Sequence, residues 1–560
     1  MNRWDYVVLL VTMLGIAAYG LWRTRGSRDL RTYLHGQEKT GWIVIGLSVM
    51  ATQASAITFL STPGQGFESG LGFVQNYFGA PLALILIAAV FLPLYRRLGV
   101  YTAYEFLGVR FDSRTRLFGA GLFLLQRGLA AGITIYAPAI VLSALLGWRL
   151  DLTIVGCGLL VVIYTVAGGS EAVSVTQKYQ MAVIFAGMAA AFVTVLAKLP
   201  LGVSPRDSLI VAGGLHKLQA VDFSLDVKRR YTFWSGLLGG FFLALSYFGT
   251  DQSQVQRYLQ GSSLRESRLG LMFNAVCKIP MQAFILLLGA LMFVFYQFQP
   301  EPVFFNRVAW QRQMAGGESG RLQALEREFS AVHAEKLRLI QDWLKASRAG
   351  EAGRAEAART AAVAANARAE AIRLQVQGLM RSADPHASAN DSDYVFITFI
   401  LNNLPHGLIG LLVAVFFAAT MSSKAAELNA LGSTTTVDFY RHLFRPEASD
   451  AHYVAASKWF TAFWGLVAIS FALFARLVEN LIQAVNILGS LFYGVMLGLF
   501  LVAFFLRAVG GRAVFWGGLA AQVLVLVLYA VLPISYLWYN LIGCGACVLF
   551  SLILQSLEGS

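Results

Sequence analysis

The chain has 560 residues, of which 57% are hydrophobic and only 13% are charged, and its mean hydropathy is +0.60. Soluble domains carry about 25% charged residues, so this composition indicates a polytopic α-helical membrane protein. Apolar runs of about 18 residues or more recur along the chain, as transmembrane helices require. These runs are continuous rather than alternating, which excludes a transmembrane β-barrel.

The net charge of +13 raises the question of nucleic-acid binding. In a membrane protein, however, Lys and Arg collect in the cytoplasmic loops. The basic residues here cluster between the apolar runs and lack the interleaved aromatic residues of a nucleic-acid site. We therefore expect the lipid bilayer, and no nucleic acid, as a partner.

The apolar runs predict about thirteen membrane spans. In chain order they cover 4–22, 41–66, 72–95, 118–147, 152–169, 178–198, 232–250, 270–298, 395–430, 455–476, 481–507, 512–532 and 536–556. Basic loops follow the first, third, seventh, ninth and eleventh spans, and all of them fall on one side if the spans alternate. The positive-inside rule makes that side cytoplasmic. The prediction is an integral protein of the plasma (bacterial inner) membrane, with its N-terminus outside and its C-terminus in the cytoplasm.

The first unusual span contains the stretch 48–66, which has small and polar residues in its middle and Pro63, Gly64 and Gly66 at its end. Inside a bilayer, a backbone group that leaves a helix must be satisfied by something else. We therefore predict a broken membrane helix whose free carbonyls line a cavity or hold an ion.

Further along, Lys278 stands inside a predicted span and either reaches the cytoplasmic surface or lines a cavity. Arg127 has the same two possibilities. Tyr247, Gln483 and Asn486 are polar groups in apolar surroundings. Because polar groups are costly at membrane depth, all of these are candidates for function.

Residues 299–394 interrupt the series of spans, and their composition shifts to Ala, Arg and Glu from 348 to 373. Apolar residues recur there at three- and four-residue steps, as in an amphipathic helix: Leu322, Leu325, Phe329, Val332, Leu339 and Trp343. A turn within 347–353 and a second helix to about Arg381 complete a helical hairpin, predicted on the extracytoplasmic side. The hairpin either docks a protein partner or is a solvated insertion without a role.

Ser422 and Ser423 lie side by side towards the end of the span 395–430. Hydroxyl oxygens suit a weakly held monovalent cation, whereas a divalent ion would require carboxylates. The alternative is that each hydroxyl bonds back to its own helix. Lys424 and Glu427 are expected to pair with each other or with water near the cytoplasmic end.

Five segments, taken in this order, resemble the sodium/solute symporter family. They cover 48–66, 101–111, 168–169, 250–258 and 418–440. Members of that family couple sodium to the transport of sugars, proline, sialic acid, iodide, vitamins and monocarboxylates. The resemblance extends over nearly the whole chain except 301–390.

The resemblance implies an all-α membrane fold of two inverted five-helix repeats, each with a broken first helix, to which the extracytoplasmic hairpin is added. The implied domains are an extra first helix with a cytoplasmic loop (1–40), a first repeat (41–230) and a second repeat (231–507). The insertion (301–390) interrupts the second repeat, and two peripheral helices (508–560) follow it.

The resemblance also implies site residues. The family's common sodium site corresponds to the carbonyls of Ala51, Ala54 and Ala419 and the hydroxyls of Ser422 and Ser423. Sodium is therefore the expected coupling ion, and no organic cofactor is expected. The expected solute site consists of Gln53, Ser55, Thr58, Tyr77, Tyr247, Lys278, Gln483 and Asn486. Gln483 and Asn486 are included because they are polar groups in apolar surroundings, as noted above.

The chain departs from the family pattern at two places. Gln177, followed by Lys178, stands where many members carry an aspartate that supports cation binding, and Ala425 and Ala426 stand where some carry hydroxyls. Both changes argue against a second sodium ion, and the amine of Lys178 makes proton coupling the alternative.

The expected function is import of a small polar solute, either a sugar or polyol or an organic anion, by alternating access. A sensor or scaffold that uses the hairpin to bind a partner is the alternative of another class. The sequence has no G-x-S-x-G, H-E-x-x-H or P-loop motif, so it is not expected to be an enzyme.

Overall fold

The computed structural model describes residues 2–12, 41–53, 56–98, 101–259, 261–316, 318–383, 390–474 and 480–558. Within these ranges, only the backbone is described for residues 56, 164, 167–180, 418 and 422. Residues 3–12 are helical. The α-helices after them are α1 (Trp42–Gln53), α2 (Ala56–Ser69), α3 (Ala80–Leu86), α4 (Leu92–Leu98), α5 (Ala103–Arg110), α6 (Ser113–Leu146), α7 (Leu150–Ala197), α8 (Pro205–Gly214), α9 (Gly240–Thr250), α10 (Gln252–Leu259), α11 (Leu264–Phe298), α12 (Arg307–Met314), α13 (Ser319–Arg348), α14 (Ala352–Ala383), α15 (Val395–Asn403), α16 (Leu408–Thr434), α17 (Asp450–Phe474), α18 (Leu481–Phe505), α19 (Gly511–Val531) and α20 (Leu537–Glu558). Tighter or wider helical turns cover Gly70–Tyr77, Ile87–Phe91, Ser235–Gly239, Ser392–Tyr394 and Thr435–Phe444.

The molecule is an α-helical membrane protein, as predicted. Among the described residues, eight helical stretches are long and apolar enough to cross a membrane, and shorter apolar helices accompany them. These helices do not establish the predicted number of about thirteen membrane spans.

One difference from the predicted spans concerns α7. The predicted spans 152–169 and 178–198 lie in a single helix, Leu150–Ala197, with no loop between them. At 1.5 Å per residue, a straight helix of 48 residues would measure roughly 72 Å, more than twice the thickness of a hydrocarbon core. The hydrophobic pattern thus located the apolar segments but not their connection.

A second difference concerns the predicted span 395–430, which consists of two helices. The short helix α15 ends at Asn403, and α16 begins at Leu408. Pro405 disfavours helical backbone at Leu404, whose ψ is 156°. Gly407 has φ +87°, a conformation that is open to glycine and costly for other residues. These two residues end one helix and allow the next to begin.

The broken helix predicted within 48–66 is not broken at Pro63 and Gly64, because both residues lie inside α2. A Cβ atom at Gly64 would collide with the carbonyl oxygen of Ser392, and one at Gly66 with that of Leu286. The glycines therefore permit close packing against neighbouring backbone. Within the stretch 48–66, α1 instead ends at Gln53 and α2 begins at Ala56.

The insertion forms the predicted helical hairpin. Its two helices, α13 and α14, pack against each other, and the turn between them contains Gly350 at φ +75°. The apolar face predicted for the first helix is buried in the hairpin, with Leu322 and Phe329 only 1% and 2% exposed.

The hairpin is held to the bundle by a cluster of buried charges. Arg373 of α14 bonds Glu301 at 3.2 Å and pairs with Asp391 at 3.2 Å, and its guanidinium lies 5.8 Å from the ring centre of Phe67 in α2. Burial alone would raise the pKa of Glu301, but the cations around it, Lys336 foremost, lower that pKa to about 2. The hairpin thus docks on the end of α2.

Candidate functional site

A cavity of about 90 Å³ lies at the centre of the helical bundle. A single water needs roughly 10–15 Å³ of such space, so the cavity has the size of several waters or a small solute. Helices α1, α2, α3, α6, α9, α16 and α18 form its wall with the turn Gly70–Tyr77. The lining residues are Thr52, Gln53, Ile57, Asn76, Tyr77, Ala80, Arg127, Thr134, Gly240, Leu243, Ala244, Tyr247, Glu427, Ile482, Val485, Asn486 and Tyr493.

One wall of the cavity stands beside a genuine break between two helices. Helix α9 ends at Thr250, Asp251 is extended with φ −77° and ψ 117°, and α10 begins at Gln252. The Oδ1 atom of Asp251 accepts hydrogen bonds from the backbone N–H of Ser253 at 2.9 Å and from its hydroxyl at 2.6 Å. Asp251 therefore caps α10 in the way that aspartate caps exposed helix N-termini.

Carbonyl groups freed at this break are satisfied by tyrosines from another part of the chain. The Tyr95 hydroxyl donates to the carbonyl of Gly249 at 2.8 Å, and the Tyr104 hydroxyl donates to that of Thr250 at 2.9 Å. All four residues are buried. Because a free carbonyl in an apolar interior is costly, these bonds allow the break to persist in a membrane.

The charged side of the cavity begins with Arg127 of α6, which is 2% exposed. Its guanidinium forms an ion pair with Asp251 and donates to the hydroxyl of Tyr493 at 2.9 Å. The Tyr493 hydroxyl in turn donates to Asp251 at 3.0 Å. Arg127 is thus an interior group, which decides between the two possibilities left by the sequence.

The charged side continues onto α16. Glu427 lies 3.6 Å from Arg127 and forms an ion pair with Lys424, whose ammonium also donates to the hydroxyl of Thr134. Lys424 is 1% exposed and Glu427 5% exposed. The predicted pairing of Lys424 with Glu427 is present, but it is buried at the cavity wall.

Behind the cavity residue Tyr77 lies Lys278 of α11, which is 1% exposed and is not itself one of the lining residues. Its ammonium lies 4.8 Å from the ring centre of Tyr77, a cavity residue. Within the described part of the chain, no carboxylate pairs with Lys278. A buried cation without an acidic partner is unfavourable unless an anion or a polar ligand supplies the missing interaction.

Only part of the predicted sodium site falls on described atoms. Ala54 lies outside the described residues, as does the side chain of Ser422. Ala51 is buried in α1, Ala419 is buried in α16, and these two helices pack against each other. The Ser423 hydroxyl donates to the carbonyl of Thr420 at 3.2 Å, which is the helix back-bonding considered above. A donating hydroxyl retains oxygen lone pairs, so this bond is compatible with a cation, and the site stays a prediction.

The predicted solute residues separate into those on the cavity and those away from it. Gln53, Tyr77, Tyr247 and Asn486 line the cavity. Thr58 is buried at 1% exposure without being one of its lining residues. Gln483 instead donates to the hydroxyl of Tyr231 at 2.9 Å. Ser55 lies outside the described residues.

Sequence reasoning did not place several polar groups on the cavity wall, namely Thr52, Asn76, Thr134, Glu427 and Tyr493. Asn76 and Thr52 each adjoin a residue that had been singled out. Glu427 was noted, but its three-residue spacing from Lys424 also fits a solvated pair. The only signal in the sequence that could have found Tyr493 and Thr134 is a polar group within an apolar span.

Comparison with known proteins identifies the family to which this chain is similar. A sequence model of the sodium:solute symporter family matches residues 33–303 and 379–521. The human sodium/iodide cotransporter is 32% identical over 312 residues, which are 55% of this chain and 48% of the cotransporter. The bovine sodium-coupled monocarboxylate transporter 2 is 27% identical over 514 residues, 89% of this chain and 67% of that protein. The chain thus spans about half of the first relative and about two thirds of the second.

Among solved structures, a Na⁺-coupled sialic acid symporter superposes with a TM-score of 0.74 and 22% sequence identity, over 99% of this chain and 98% of that one. At this identity the likeness concerns the fold alone. It supports the inverted-repeat architecture expected from the resemblance, while the repeat boundaries at 41–230 and 231–507 remain predictions.

Proposed function

Because the chain belongs to the sodium:solute symporter family, we propose that it couples sodium entry to the import of a small organic anion by alternating access. The substrate class is inferred from Lys278. This residue is a buried cation that has no carboxylate partner among the described residues, and it contacts Tyr77, which lines the cavity of about 90 Å³.

The charge balance around the cavity supports an anion. Asp251, Arg127, Glu427 and Lys424 alternate in sign and compensate one another. Lys278 is the charge left over, so a solute carboxylate beside Tyr77 would neutralise it. Two similar proteins are named for anionic solutes, iodide and monocarboxylates, which agrees with this assignment. A neutral sugar or polyol would leave Lys278 unpaired.

Sodium is the proposed coupling ion. The positions carried over from the family include Ala51 on α1 and Ala419 and Ser423 on α16, and these helices are in contact. The alternative, proton coupling through Lys178, concerns a side chain outside the described residues and has no support from the geometry.

Coupling follows from α1, which carries residues for both ligands. Ala51 belongs to the proposed ion site, and two residues later Gln53 lines the cavity. Each ligand would stabilise the same arrangement of α1, so each would raise the affinity for the other by the same factor.

A thermal-unfolding screen tests the substrate class. Purified protein is heated with a short monocarboxylate such as lactate, with iodide or with a hexose, each in sodium and in choline at one pH. A ligand at 100 times its Kd stabilises the folded state by roughly 2.7 kcal/mol. We expect stabilisation by the anions, larger in sodium. Stabilisation by the hexose alone would refute the anionic assignment.

A further inference from the structure

The ammonium of Lys424 occupies a position that resembles a small cation site. Lys424 directly follows Ser423, one of the proposed sodium ligands, and its side chain is 1% exposed. Its Nζ atom contacts the hydroxyl oxygen of Thr134 and a carboxylate oxygen of Glu427. Hydroxyl and carboxylate oxygens are hard ligands of the kind that hard metal cations take.

The charges around Lys424 show what its ammonium compensates. Four buried charges form a series from the break before α10 to α16: Asp251, Arg127, Glu427 and Lys424, with a contact between each neighbouring pair. Their side chains are at most 6% exposed. Arg127 bonds Asp251 directly, whereas it stays 3.6 Å from Glu427. Glu427 therefore depends on Lys424 for its closest positive charge.

Removal of the ammonium would leave this group with one net negative charge in a buried place. Such a charge is costly unless a cation replaces the lost partner. Thr134 and Glu427 both line the central cavity, so an ion that enters the cavity could reach their oxygens.

We infer that Lys424 is a tethered cation, which fills a second cation site and limits the transporter to one sodium ion per cycle. This inference rests on the proposed sodium coupling. The ammonium moves with α16 and is never released, so it supplies charge to the site without crossing the membrane. A purely structural pair of Lys424 and Glu427 would instead affect stability and leave the number of bound sodium ions unchanged.

Equilibrium binding of radioactive sodium to the purified full chain distinguishes these cases. The wild type should bind one sodium ion per chain, and Lys424→Ala should bind two. The matched control is Lys424→Ala with Glu427→Gln, which also removes the carboxylate and should bind one. Lys424→Arg retains a cation and should likewise bind one.

Three results would overturn the inference: two ions on the wild type, one ion on Lys424→Ala, or two ions on the double variant. No sodium on the wild type would refute the proposed coupling itself, and with it this inference; that outcome is visible without any variant. If Lys424→Ala cannot be purified, sodium activation of solute uptake by whole cells that express the variant gives the second measurement, because it needs no purified protein. Its Hill coefficient should rise from about 1 to about 2, and an unchanged value counts against the tethered cation.

Discussion

Replacement of Asp251 by asparagine should destabilise the protein through one buried guanidinium. The amide side chain would keep the size of the carboxylate and an oxygen that can still accept from the N–H of Ser253, so the cap of α10 is preserved. What is lost is the negative charge that pairs with Arg127, which is 2% exposed. Arg127 is then left with Glu427 at 3.6 Å, which Lys424 already neutralises.

The size of the effect follows from the burial of the pair. Removal of one partner of a buried ion pair costs roughly 3–5 kcal/mol, because the other charge stays buried and uncompensated. Unfolding entropy is roughly 2.1 cal/mol/K per residue, or about 1.2 kcal/mol/K for the 560 residues treated as one cooperative unit. Asp251→Asn should therefore lower the Tm by roughly 3–4 °C.

The assay is thermal unfolding of the purified protein in detergent, arranged as a double-mutant cycle with Arg127→Met. The double variant leaves Glu427 and Lys424 as a balanced pair and should recover most of the loss. The exposed pair of Arg149 and Asp151, 63% and 50% exposed, supplies the control, since Asp151→Asn should cost at most about 1 kcal/mol. Additive effects of the Asp251 and Arg127 substitutions would refute the reasoning.

Three further predictions concern solute binding, the hairpin and close packing. Lys278→Gln should raise the KM for an anionic solute at least roughly tenfold, which corresponds to a loss of about 1.4 kcal/mol of binding free energy. Lys278→Arg keeps the positive charge and should retain part of the affinity. Equal KM values for the wild type and Lys278→Gln in uptake assays would contradict this role. Glu301 has its pKa lowered from 4.5 to about 2, so its stabilisation, roughly 3 kcal/mol, is complete above pH 4.5 and is lost as the pH falls towards 2. Glu301→Gln should remove that share of the acid-induced loss in unfolding measured from pH 6 to pH 2, and an unchanged pH profile would argue against it. Gly64→Ala should lower the free energy of unfolding by roughly 1–3 kcal/mol, because the new Cβ would collide with the backbone of Ser392. Gly121→Ala, which has open space around the new Cβ, should cause no such loss. Equal Tm values for the two variants would contradict this, since α2 would then have shifted to relieve the collision.

Elements with a strong local pattern could be predicted from the sequence. The hairpin is one, because Leu322 and Phe329 lie on one helical face and Gly350 sits in the turn. The segment 250–258, which contains the break at Asp251, was also identified, because it resembles the family, but the break itself was not predicted. Local pattern does not report distance in space, however, and the site depends on contacts between distant segments.

Arg127 illustrates the limit. Its partners are 124 and 366 residues away in the chain, at Asp251 and Tyr493. A single apolar span with one arginine is equally consistent with a side chain that reaches the membrane surface. Only the packing of α6 against α18 turns that arginine into a cavity residue.

Pro63 and Gly64 show a different limit. Proline and glycine ordinarily interrupt a helix, but α2 continues through both of them. In this place the absence of a side chain at Gly64 serves contact with Ser392. Composition identified an unusual stretch, and tertiary packing decided what its residues do.

The central claim, coupling of sodium entry to uptake of an organic anion, is tested most directly in proteoliposomes. Uptake of radioactive lactate is measured at one fixed pH, with an inward gradient of sodium and with sodium replaced by choline. The account predicts concentrative uptake only in the presence of the sodium gradient, and none in liposomes without protein. Protein-dependent uptake that is the same in choline as in sodium would contradict it.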